Sequence, residues 1–159
     1  MSTSPETLAY HEAGHVVVAA EVGGVVTEAS IDPDAEDHRE ASVEVEWPRG
    51  RGAKEDVWVA LAGPAAETIY EGHAAVTTDL LRAWSEDWRA AAEAASRLVG
   101  GRERVTRHLR AASADLDALL RRDDVWAVVG DVADALLAHE HLDEEMLADV
   151  LGPWGMGSR

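Results

Sequence analysis

His11-Glu12-Ala13-Gly14-His15 is the segment of this chain whose residue types and spacing most directly suggest chemistry. On a helix, histidines at i and i+4 rise from one face with Cβ atoms about 6 Å apart, so both imidazoles can reach one ion. Glu12 is adjacent to His11 and can point at the ion's open position without ligating it. From there a carboxylate can take a proton from a bound water and later return it to a leaving amine. Zinc brings the pKa of such a water down toward about 7, so hydrolysis becomes feasible at neutral pH. The plainer alternative is a helix with two surface histidines and an ordinary glutamate between them.

A catalytic zinc takes three protein ligands and leaves its fourth position to water. The chain has no cysteine, so every ligand must come from His, Asp or Glu, and disulfides, thiolate nucleophiles and iron–sulfur clusters are excluded. The candidates for the third ligand are Glu67, His73, Asp79, Asp87 and the His139/His141 pair. No histidine stands six residues after His15, which excludes the extended metzincin motif. No N-E-x-x-x-D follows on a later helix, which weakens a glutamate ligand and leaves an aspartate as the economical choice. Glu67 also suits a supporting role, accepting a hydrogen bond from a ligating imidazole. His139-Glu140-His141 with His73 is a weaker metal cluster, explained as well by histidine at a helix end. The acidic run 32–38 lacks the glycine and glutamate of a calcium-binding loop. Trp84 and Trp88, spaced i, i+4, read as core or interface anchors.

The whole composition sets the frame for this site. The chain has 159 residues, read as one domain over 1–159, with 31 acidic against 14 basic residues and a net charge of −17. Such a charge disfavours nucleic acid and anionic membrane surfaces as partners. Its 47% hydrophobic content fits a folded core rather than an acidic disordered chain. No secretory signal, membrane-spanning stretch or phosphate-binding P-loop is evident, so a soluble, cytoplasmic protein is expected.

The elements that must position these residues can be read from the pattern. Ser4-Pro5-Glu6 opens a helix that carries the motif and stops at Gly23-Gly24. Val25, Val26 and Ile31 have strand character, and residues 41–47 alternate apolar with polar, so a small two- or three-stranded sheet is expected. A helix over 54–70 follows, with a kink or new first turn expected at Ala62-Gly63 because of Pro64. Residues 78–99 read as one helix or as two pieces meeting near Ser85. Three more helices are expected over 102–121, 124–139 and 143–151, with Leu109, Leu116, Leu119 and Leu120 forming an apolar stripe. The fold class is mainly α with a small antiparallel β insertion, an α+β chain.

Across its length the sequence resembles the peptidase domain of the FtsH-type zinc metalloproteases, the protease half of a membrane-anchored AAA+ machine. TLAYHEAGHVVVAAEVGG is similar to that family's zinc-binding helix, and LAGPAAETIYEG (61–72) to its LAGRAAEELIYG element. SEDWRAAAEAASRLV (85–99) resembles the family helix that supplies the third ligand, and ALLAHEHLDEEMLADVLG (135–152) resembles its ending. The resemblance implies His11, His15 and Asp87 as zinc ligands and Glu12 as general base. TTDLLRA fits the aspartate block as well, with Asp79 as the alternative ligand. Pro64 stands where the family has arginine, and neither an ATPase module nor transmembrane helices accompany the peptidase block here. The implied activity is a zinc-dependent metalloendopeptidase acting on unfolded or short polypeptides, with an edge of the small sheet binding the substrate. The alternative is a non-hydrolytic zinc-binding interaction or regulatory domain. A separate AAA+ ATPase acting in trans and a homo-oligomer are the further partners this reading leaves open.

Overall fold

A computed structural model describes residues 4–31 and 42–156 of the chain. The acidic run 32–38 lies outside the described residues. Helix α1 (Pro5–Glu21) starts where its sequence signals it. Ser4 Oγ accepts a hydrogen bond from the Thr7 amide at 3.1 Å, and Pro5 takes the first helical position. Apolar residues surround the helix, and Leu8, Ala9, Ala13 and 16–20 are all buried. A helix apolar on every side belongs in a core rather than on a surface. Its main neighbours are α2 (Ala53–Tyr70) and α6 (Asp123–His139).

Small residues bring α1 and α2 together. A Cβ on Gly14 would lie 2.5 Å from the Ala62 carbonyl oxygen and 2.6 Å from the Ala66 Cβ. Only glycine permits that approach. Of the kink or new first turn expected at Ala62-Gly63, the new turn is absent, since α2 runs on through Pro64 to Tyr70 as one helix. Proline removes one ladder bond, to the Ala60 carbonyl. Burial of residues 61–68 holds the helix together across that gap.

The sheet is three-stranded and antiparallel, in the order β2 (Ser42–Glu46), β1 (Val25–Ser30), β3 (His141–Leu142). Val26 pairs with Val45 and Ala29 with Val43, with a register shift between Val26 and Glu28. In β2 only Val43 and Val45 are half-buried, as the alternation predicts. Its outer edge has no partner strand among the described residues. The two-residue β3 has no hydrophobic run to announce it. Glu140 ends α6 with φ 63°, and its carbonyl accepts from the Ile31 amide at 2.9 Å, which sets the next two residues beside β1.

The 78–99 region forms two helices, α3 (Thr78–Leu81) and α4 (Ser85–Leu98), which meet near Ser85. α5 (Arg102–Leu120) buries Leu109, Leu116 and Leu120, while Leu119 is half-buried. α7 (Glu144–Leu151) is capped by Asp143, whose carboxylate accepts from the Met146 amide at 2.9 Å, and a short 3-10 turn follows over Gly152–Met156. The chain is therefore mainly helical with a small antiparallel sheet. Among the described residues no helix is long and apolar enough to cross a membrane.

Candidate metal centre

Because α1 is the central helix, His11 and Glu12 are buried, and His15 nearly so. The i, i+4 spacing sets the two Nε2 atoms 3.3 Å apart. The first turn of α4 brings Asp87 to the same point. Its Oδ2 lies 2.9 Å from His11 Nε2 and 3.5 Å from His15 Nε2. Glu12 Oε2 stands slightly further off, 4.0 Å from His11 Nε2.

The far sides of both rings determine what these nitrogens can do. His15 Nδ1 is 2.6 Å from the Val59 carbonyl oxygen, which can only accept, so the ring proton sits on Nδ1. His11 Nδ1 faces the buried carboxylate of Glu67 at 3.3 Å, which favours the proton on that nitrogen too. In the neutral rings each Nε2 then carries a lone pair. The two Nε2 atoms and the Asp87 carboxylate oxygen converge on one point, an arrangement that could hold a cation.

The separations suit a small tetrahedral ion. Ligand bonds of about 2.0–2.1 Å at tetrahedral angles place donor atoms about 3.3 Å apart, against the observed 3.3, 2.9 and 3.5 Å. Two nitrogens and one carboxylate oxygen also form a donor set that zinc accepts. Gly63 leaves the space open, since a Cβ there would collide with His15 Nε2 and lie 2.7 Å from His11 Nε2.

The two imidazoles also sit among acidic groups that favour their protonated forms. Burial by itself lowers the His11 pKa, but the hydrogen bond that Asp87 accepts, the Glu67 contact and the nearby Glu12 charge push it up to about 10. The His15 pKa is raised as well, with burial again opposed by Asp87 and Glu12. Asp87 loses some ionisation to burial, yet the two imidazoles hold its carboxyl well below the usual carboxylate range.

The other sequence candidates lie elsewhere. Asp79 is exposed in the first turn of α3 and makes none of these contacts. His73 is exposed, and its carbonyl accepts from Arg121 Nη2 at 2.8 Å. His141 pairs with Glu28 at 3.0 Å on the surface, and His139 ends α6. Trp84 and Trp88 are half-buried, and Trp88 packs against the core. Trp84 caps α4 with its ring 6.3 Å from that of His11, and Arg82 lies over Trp88. The role of Val59 has no signal in the sequence, because a backbone carbonyl has no residue-type signature. Gly63 does carry one, a glycine beside Pro64 within an alanine-rich helix.

The centre opens onto a cleft of about 460 Å³. Glu12, His15 and Asp87 line it together with Val59 and Ala60 of α2, Val43 and Val45 of β2, and Ala90 of α4. No protein-family model matches the chain, and neither does any curated protein.

Proposed function

We propose that the protein is a zinc-dependent metallopeptidase that cleaves unfolded or short polypeptides. The observation that carries this reading is the convergence of His11 Nε2, His15 Nε2 and Asp87 Oδ2 beside Glu12, at the head of a cleft flanked by the outer strand β2. His11, His15 and Asp87 would hold the ion. When bound, zinc would supply Lewis-acid polarisation of a peptide carbonyl and an acidified water.

The protein's own groups carry the remaining steps. Val59 and Glu67 fix the two rings so that both lone pairs stay aimed inward. Glu12 takes the proton from the attacking water and returns it to the amine nitrogen as the peptide bond breaks. The outer edge of β2 offers backbone donors and acceptors to an extended chain, which would bind as an added strand. Its period of two turns alternate substrate side chains toward the cleft.

The test pairs metal analysis of protein purified without chelators with cleavage of an unfolded casein. One zinc per chain and cleavage abolished by Glu12→Gln are expected. Bound zinc with no cleavage of casein or a peptide library would replace this reading with a non-hydrolytic zinc-binding domain. Absence of any metal affinity would remove zinc altogether.

A further inference from the structure

The cleft has a second end with a different charge. Arg51, Asp56 and Arg97 line it there. Asp56 sets one carboxylate oxygen against each guanidinium, Oδ1 at 3.2 Å from Arg51 Nε and Oδ2 at 3.0 Å from Arg97 Nη2. Each guanidinium has five N–H donors, and among the described residues no other carboxylate pairs with either. Both side chains are just over half exposed, at 56% and 54%, while Asp56 is mostly covered at 20%. The cluster therefore has two positive charges, one negative charge and several donors still facing water. In a chain with only 14 basic residues against 31 acidic, placing two of them around one carboxylate in this cleft is an uneven use of charge.

Two helices measure how far this cluster lies from the metal centre. On α4, Asp87, Ala90, Glu93 and Arg97 follow one another at spacings of three and four, so one face of the helix forms a wall of the cleft. Ten residues separate Asp87 from Arg97, about 15 Å at 1.5 Å per residue. On α2, seven residues separate Gly63 from Asp56, about 10 Å. An extended chain covers that span in about three to five residues. Glu93 lies on the same wall between the two ends, an acidic group between the centre and the basic far end.

We propose that Arg51 and Arg97, bridged by Asp56, form a subsite for a carboxylate of the bound polypeptide, three to five residues from the scissile bond. The proposal rests on the peptidase reading for the identity of the ligand. Guanidinium forks suit a carboxylate in shape as well as charge. The recognition is local, because the protein's overall negative charge repels an acidic peptide beyond about one Debye length, about 8 Å at physiological salt. Two sources offer the same chemistry, an internal Asp or Glu side chain and the chain's terminal α-carboxylate. Glu93 makes an acid closer to the scissile bond unfavourable, so acceptance is confined to one position.

The experiment measures binding rather than turnover. Zinc-loaded Glu12→Gln protein is titrated against fluorescent eight-residue peptides of Ala, Gly and Ser, with a single Glu, Gln or Lys moved through every position. Each peptide carries either a free or an amidated C-terminus, and anisotropy gives Kd. One position is expected where Glu binds about tenfold tighter than Gln, the scale of one charge-assisted contact. Arg97→Gln and Arg51→Gln should each reduce that preference, and Arg97→Glu should favour Lys at the same position. Circular dichroism and melting check that these variants remain folded. A preference that follows the free C-terminus assigns the subsite to the terminal carboxylate, and one that follows internal Glu assigns it to a side chain. Equal Kd values for all peptides, no peptide binding, or a Glu preference unchanged in both arginine variants would overturn the subsite. Cleavage by the wild-type protein is measured separately. Glu-dependent binding without cleavage overturns only the peptidase reading, and cleavage without Glu preference overturns only the subsite.

Discussion

Glu67 Oε1 lies 3.3 Å from His11 Nδ1, across the imidazole from the nitrogen that meets Asp87. Both side chains are almost fully buried, so this carboxylate can set which ring nitrogen carries the proton. Glu67→Gln keeps the shape but removes the charge, and the amide can turn a donor toward the ring. Zinc affinity is expected to fall about 10- to 100-fold, measured by competition with a chromophoric chelator. Unchanged affinity would mean that the ring is oriented without Glu67.

The contacts of Asp87 and the exposure of Asp79 lead to opposite expectations for two alanine variants. Asp87→Ala should lose stoichiometric zinc, while Asp79→Ala should retain it and melt like the parent. Metal content after dialysis against a weak chelator separates them. Zinc retained by the Asp87 variant would assign the third ligand elsewhere.

Two glycine substitutions should fail in different ways. At Gly63 a new Cβ would occupy the space between the histidine nitrogens. Gly63→Ala should therefore abolish zinc binding while costing little metal-free stability, because the crowding is offset by about 1 kcal/mol of better helix propensity. At Gly14 the obstacle is the Ala62 backbone. Gly14→Ala should cost about 1–3 kcal/mol even without metal, read from urea unfolding.

The metal-free protein should show a defined pH profile. The His11 pKa is raised from 6.5 to about 10 by folding, so its contribution to stability is full below pH 6.5 and lost as pH rises through 10. The Asp87 pKa is lowered, so its contribution holds above 3.8 and disappears as pH falls through its depressed folded-state value. Unfolding midpoints in urea, with chelator present, should be highest between these limits and decline on the alkaline side. Zinc competes with the same protons, so its affinity should rise with pH over that alkaline range. A flat alkaline profile in the metal-free protein would show that His11 and Asp87 are not coupled as described.

Local signals in the sequence were enough to place most elements. Ser4 and Pro5 mark the start of α1, and Gly23 and Gly72 lie just beyond helix ends with φ 102° and 91°, which glycine adopts readily. The 3.6-residue and two-residue periods located the helices and β2. The partnerships made over distance were not legible in the same way. β3 exists because Glu140 turns the chain back onto β1, and a two-residue strand has too few residues to show a period. α2 stays one helix through Pro64 because the residues around it are buried, a balance that a local rule about proline does not contain. At the site, His11, Glu12 and His15 could be read directly because one helical turn sets their spacing. Asp87 competed with Asp79 until the docking of α4 brought it to the histidines.

That split between near and distant partners also orders events as the chain folds. The histidine pair is complete as soon as one turn of α1 forms, but 72 residues separate His15 from Asp87. A contact over that separation forms only after a long loop has closed. A half-folded chain would therefore present two ligands and hold a metal weakly. The three-ligand grip would mature last, so tight metal capture would report that the whole topology, rather than one helix, has been achieved.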